Sequence, residues 1–194
     1  MLHRFFAKET HADLNSVLPN LVAHIGEDIS HWTIKQQDGK YQHAYSYIAQ
    51  GNGITLSFYE NALKEKMRVQ KTELIVACEN PHWLSILAQH PDQKQVQKKR
   101  LDCSPLSKNP VWQPWHLQSN QPALAEDLLQ TIPSYLSVFQ LLDAVELVLE
   151  RQRLYVQWAW LPDTAARQQQ LQMILEFGIA LTQALDELAT VLSE

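Results

Sequence analysis

Residues 143–160, DAVELVLERQRLYVQWAW, decide the architecture. Val145, Leu147 and Leu149 alternate with Glu146 and Glu150. Beyond a turn, Leu154, Val156, Trp158 and Trp160 alternate with Tyr155 and Gln157. Period-two alternation marks strands with one buried face. With the turn centred on Arg151-Gln152, Leu149 falls opposite Leu154, Leu147 opposite Val156 and Val145 opposite Trp158, while Glu150 meets Arg153 on the other face. A one-residue slip would set apolar positions against polar ones, so the register is well specified. Arg and Gln tolerate the two positive φ angles of a type I′ turn poorly, and a four-residue loop around a type I turn is expected instead.

The next segment covers this hairpin. Pro162 ends the strand and Asp163 can cap a helix. Leu171, Ile174, Leu175, Gly178, Leu181, Leu185, Leu188 and Leu192 recur at helical spacing, with Phe177, Ala180 and Ala184 widening the stripe. So wide a stripe faces a core. Gly178 costs about 1 kcal/mol inside a helix, which a close approach to the sheet near Trp158 or Trp160 would justify. The expected fold is therefore α+β: antiparallel sheet packed against helices, with a long C-terminal helix on a β-hairpin.

Upstream, Thr10 and Asp13 resemble a capping box. Leu14, Val17, Leu18, Leu21, Val22 and Ile25 form an apolar helical stripe ended by Gly26, with Pro19 predicting a kink or restart. A strand-rich block follows. It holds a strand over 31–37 and the Asp38-Gly39 turn, then a strand carrying Tyr41, His43, Tyr45 and Tyr47 on one face. After Gly51-Asn52-Gly53 come alternating Ile54, Leu56 and Phe58, an extended excursion over 61–71, and the buried strand TELIVACE at 72–79. The expected organisation is an N-terminal lobe over 1–88, a polar linker or surface loop over 89–109, and a lobe of strand, helices, hairpin and long helix over 110–194. In the last of these, 111–118 reads as an edge strand because Pro110 and Pro114 bracket it. Ser119 or Asn120 can cap a helix starting near Pro122, and another helix can start at Pro133. The two lobes can share one sheet.

The succession SNQPALAEDLL (119–129), VELVLERQRLYV (145–156) and a closing helix resembles soluble regions of uncharacterised bacterial proteins, some of them membrane-tethered. The resemblance covers the C-terminal part of the chain. It implies a fold and no activity, and no tether is expected here.

Chemistry is harder to find. The chain of 22.4 kDa has a net charge of −5, which argues against a nucleic-acid role. No apolar run approaches the roughly 18 residues of a membrane span, and no signal-peptide core is visible, so a cytoplasmic protein is expected. Cys78 and Cys103 match no zinc or redox spacing and read as free thiols. Only five glycines are present, with no G-x-S-x-G. Cys103 with His116 is the best thiol–imidazole pair, but Cys103 lies in the polar segment with no scaffold to fix it. Glu79 and His82 have helical ligand spacing, yet Pro81 stands between them. His24 and Glu27 straddle a helix end. Surface residues explain the eight scattered histidines better than ligands do. Gly51-Asn52-Gly53 precedes a strand, not a helix, and so is no phosphate cradle. The run from Lys94 to Arg100 carries no aromatics and reads as a solvated loop. Glu126-Asp127 and Asp186-Glu187 are helix neighbours that diverge by about 100°. No catalytic residue, metal ligand or cofactor is expected.

Aromatics are the remaining signal. Trp112, Trp115 and His116, with the row Tyr41, Tyr45 and Tyr47, are the candidate binding residues, against a simpler reading as packing groups. The leading expectation is a non-catalytic interaction module that binds a protein partner or oligomerises, through a strand edge or an aromatic patch. An inhibitor of a basic enzyme or toxin would fit that class. The alternative is a small-molecule binder or cofactor-independent enzyme with a pocket between the lobes near Trp112, Trp115 and His116.

Overall fold

The computed structural model describes residues 14–38, 44–51, 53–64, 67–80, 83–89, 103–106, 115–132 and 146–191. The order is α1 (Leu14–His24), a 3-10 turn (Ile29–His31), β1 (Thr33–Asp38), β2 (Ala44–Gly51), β3 (Ile54–Lys64), β4 (Met67–Ala77), β5 (Ile86–Gln89), β6 (Ser104–Pro105), β7 (His116–Ser119), α2 (Pro122–Gln130), β8 (Glu146–Glu150), β9 (Arg153–Trp158) and α3 (Ala165–Val191). The nine strands form one antiparallel sheet in the order β1-β2-β3-β4-β9-β8-β5-β7-β6. This is the expected α+β fold. Strands from both ends of the chain sit in a single sheet, because the β8–β9 hairpin fills the place between β4 and β5.

The hairpin has the register expected of it: Leu147 pairs with Val156, Leu149 with Leu154, and Glu150 with Arg153. The last pair also forms an ion pair at 3.6 Å. Val145 lies outside the described residues. The turn differs from expectation. It is a two-residue connection in which Arg151 adopts φ +54°, while Gln152 does not share that positive φ. This is the first-position pattern of a type II′ turn. The tight turn is held from the neighbouring strand, where the Cys78 N–H donates to the Gln152 carbonyl at 3.1 Å.

The face that meets the helices carries Leu56, Phe58, Leu74, Leu147, Leu149, Leu154, Val156 and Trp158, each at most 2% exposed. From α3, Leu171, Ile174, Leu175, Phe177, Leu181 and Leu185 join the same core. Gly178 does mark a close approach, but not at the tryptophans. A Cβ there would lie 3.3 Å from Leu74 and Val76 and 3.6 Å from Leu154. The helix thus crosses the seam between β4 and β9, where the two halves of the sheet join. The cap also differs from expectation. Thr164 Oγ1 accepts from the Arg167 N–H at 3.3 Å, and Asp163 pairs with the Arg167 guanidinium at 2.8 Å.

Helix α1 runs through Pro19 as one element, held by buried Leu18, Leu21 and Val22. Gly26 (φ +79°) ends it: the Glu27 N–H reaches the Val22 carbonyl and the Gly26 N–H the Ala23 carbonyl, the pairing of a Schellman motif. At the N-terminal end of the sheet Trp32 lies flat on Gly51, where a Cβ would stand 2.6 Å from the indole. Of the excursion over 61–71, residues 61–64 and 67–71 are extended, as parts of β3 and β4, and residues 65 and 66 lie outside the described residues. Strand β7 is not the outermost strand: β6 pairs with its Gln118 and Ser119, a two-residue contact between polar segments that no hydrophobic pattern announces. Helix α2 has Gln121 at its N-cap and Pro122 in its first turn, with no side-chain cap. Ser119 Oγ instead accepts from the Gln121 N–H at 3.0 Å. Thr10, Asp13 and residues 133–145 lie outside the described residues.

Candidate functional site

The aromatic residues singled out from sequence do not come together among the described residues. Trp112 and Tyr41 lie outside them. Trp115 belongs to the core at 7% exposure. His116 opens β7, is exposed, and stands opposite Gln89. Tyr45 and Tyr47 occupy β2 positions paired with Glu60 and Phe58. Of the expected polar segment, Gln89 lies in β5, Ser104 and Pro105 form β6, and Leu106 is buried.

The residue that stands out is one the sequence reading passed over. Trp83 is 72% exposed, and with Ile34 it makes up the exposed large hydrophobics among the described residues. Its φ is +53°, a left-handed conformation that costs a bulky L-residue about 1–2 kcal/mol. Two asparagines hold it there. The Asn80 carbonyl accepts the Trp83 N–H at 3.1 Å. The Asn80 side chain, buried, donates to the Leu84 carbonyl at 2.8 Å and accepts the Leu84 N–H at 2.9 Å. From the far side of β5, the Asn120 amide donates to the Trp83 carbonyl at 2.8 Å, and its oxygen accepts the Ser85 N–H at 2.7 Å. Both backbone groups of Trp83 are therefore fixed while its ring points to solvent. The loop is also tied to α3, since the Glu79 N–H donates to Asp186 Oδ1 at 3.1 Å. Asn80-Pro81 is a turn-initiating pair, so a turn here was readable. That the turn would display an indole was not.

On the sheet face away from the helices lies a polar network. The Tyr155 hydroxyl bonds Glu73 at 2.8 Å and also contacts Gln157. Glu73 pairs with Lys71, whose ammonium lies 6.0 Å from the Tyr59 ring centroid. Burial, and then Glu73, push the Tyr155 phenol above its ordinary value. It stays protonated at neutral pH and acts as a hydrogen-bond donor, not a base. Burial, and then Asp186, push the Cys78 thiol up to about 11, the opposite of what an activated nucleophile needs. Cys78 and Cys103 form no disulfide. Among the described residues no three His, Cys, Asp or Glu side chains converge in a way that could hold a metal ion, and no helix is long and apolar enough to cross a membrane. No family model, curated protein or solved structure matches the chain.

Proposed function

We propose that this chain is a non-catalytic, cytoplasmic protein-interaction module and that Trp83 is its contact residue. The supporting observation is the indole held out to solvent in a strained backbone by two asparagines. Strain of this kind persists only where the surroundings over-determine it, and such sites concentrate in contact and switch regions. Tryptophan is also the side chain that most often dominates a protein–protein contact, because a large rigid surface is buried with little entropy lost. The amide groups of Asn80 and Asn120 are occupied by the loop itself. The ring is thus offered as an apolar body, which suits a pocket on a protein better than a polar small ligand. The net charge of −5 favours a partner with basic residues around that pocket over a nucleic acid.

Capture from native lysate with mass-spectrometric identification tests this reading. A protein retained by the wild type should be lost, or bound at least about 30-fold more weakly, by Trp83→Ala. Trp83→Gly should lose binding as well, while gaining up to about 1 kcal/mol of stability from relief of the left-handed backbone. If no protein is retained and one metabolite co-purifies repeatedly, the interaction reading fails. Equal capture by wild type and Trp83→Ala would remove Trp83 from it.

A further inference from the structure

Strand β1 is the last strand of the sheet at its N-terminal end. Thr33, Ile34, Lys35, Gln36 and Gln37 are all exposed, and among the described residues only β2 pairs with the strand. We propose that β1 pairs antiparallel with the β1 of a second copy of this chain, about a two-fold axis at Ile34, to make one sheet across two subunits. This is independent of the Trp83 reading.

The register follows from symmetry and chemistry. Two adjacent antiparallel strands related by a two-fold axis must set one residue opposite its own copy, because opposed side chains share a face. Within the extended residues 32–38, three centres keep at least four of the six β1 residues paired. An axis at Lys35 sets two ammonium groups against each other, which is destabilising. An axis at Gln36 sets Ile34 opposite the partner's Asp38, an apolar side chain against a carboxylate. An axis at Ile34 sets Ile34 against the partner's Ile34, Thr33 opposite the partner's Lys35, and Trp32 opposite the partner's Gln36. Only this last arrangement removes the exposed Ile34, 43% accessible in the single chain, from water without opposing like charges. Lysine in mid-edge guards against indiscriminate strand pairing. Here Lys35 forbids the register centred on itself and leaves the neighbouring one open. A second copy fits better than a foreign strand because the one apolar side chain of the edge finds an equal partner in itself.

Sedimentation and register-specific cross-linking test the proposal. Wild type should sediment at twice the 22.4 kDa of the chain. Ile34→Lys should weaken association at least tenfold with an unchanged circular dichroism spectrum, and Trp83→Ala should leave the dimer intact. With Cys78→Ala and Cys103→Ser as background, Ile34→Cys should oxidise to a reducible dimer, since opposed Cα atoms stand about 4.5–5.5 Å apart. Gln36→Cys should not, since its two copies would lie about 14 Å apart along the strands. A monomeric wild type, an Ile34→Lys variant that dimerises as before, or cross-linking of Gln36→Cys as fast as Ile34→Cys would each overturn the proposal.

Discussion

At the residue scale, two non-glycine positions among the described residues, Trp83 and Arg151, carry backbone strain that composition does not reveal. Alternation made the hairpin register legible down to the Glu150–Arg153 pair, because a slip would have moved every apolar side chain to the wrong face. The turn was not legible: Arg151 has no side-chain preference for φ +54°, and the ladder with the Cys78–Gln152 bond outside it imposes that angle. Arg151→Gly should therefore stabilise the protein by about 1 kcal/mol, read as a rise in the urea midpoint at unchanged slope. A fall would mean that the arginine side chain contributes more than its backbone loses. Trp83 escaped notice for a related reason: it breaks the alternation of its neighbours, and only the bonds to Asn80 and Asn120 show that the break is fixed. Cys78 gives a pH signature. Its thiol rises from 9.0 to about 11 in the folded protein, through burial first and Asp186 second. The native state holds that proton more tightly than the unfolded chain, so the associated stability is fully present below pH 9 and is lost as pH rises towards 11. Tyr155 shifts in the same direction. Urea midpoints at pH 8 to 11 should fall less steeply for Cys78→Ala than for wild type. Identical slopes would contradict the assignment.

At the element scale, the hairpin and α3 were readable because each carries its own period, two residues in one and about 3.6 in the other. Which part of the sheet the helix presses on was not readable. The glycine that permits close approach names no neighbour, and it meets Leu74, Val76 and Leu154, not the tryptophans. Two effects oppose each other at this site. Alanine at 178 gains about 1 kcal/mol of helix propensity, while a methyl at 3.3 Å from two buried side chains must push them aside. Gly178→Ala should change stability by no more than about 1 kcal/mol, whereas Gly178→Leu should cost about 3 kcal/mol through overpacking. Thermal denaturation of both variants checks this. A Gly178→Leu protein as stable as wild type would show that α3 does not lie on the β4–β9 seam. Edge assignment was misread at β7 because prolines at 110 and 114 mark a poor ladder partner without saying that β6 would cover it.

At the scale of the whole molecule, the joining of the two halves is what sequence patterns leave unsaid. Alternation says that β4 and β9 each bury one face, but hydrogen-bond partners more than seventy residues apart leave no mark on either strand. The structure pairs Leu74 with Val156 and Val76 with Leu154, and Thr72 Oγ1 donates to the Trp160 carbonyl across the same seam. The candidate surfaces depend on this join. The hairpin slot sets β5 apart from β4 and makes the Trp83 loop span the distance, while the meander carries β1 to the far end of the sheet. Hydrogen exchange read by mass spectrometry tests the join most directly. If the sheet is continuous, amides of 72–77 and 153–158 should be among the slowest in the protein and should exchange together, as one cooperative unit with the buried turns of α3. Rapid exchange in 153–158 while 72–77 stays protected, or separate unfolding of the two segments in denaturant, would contradict a single sheet.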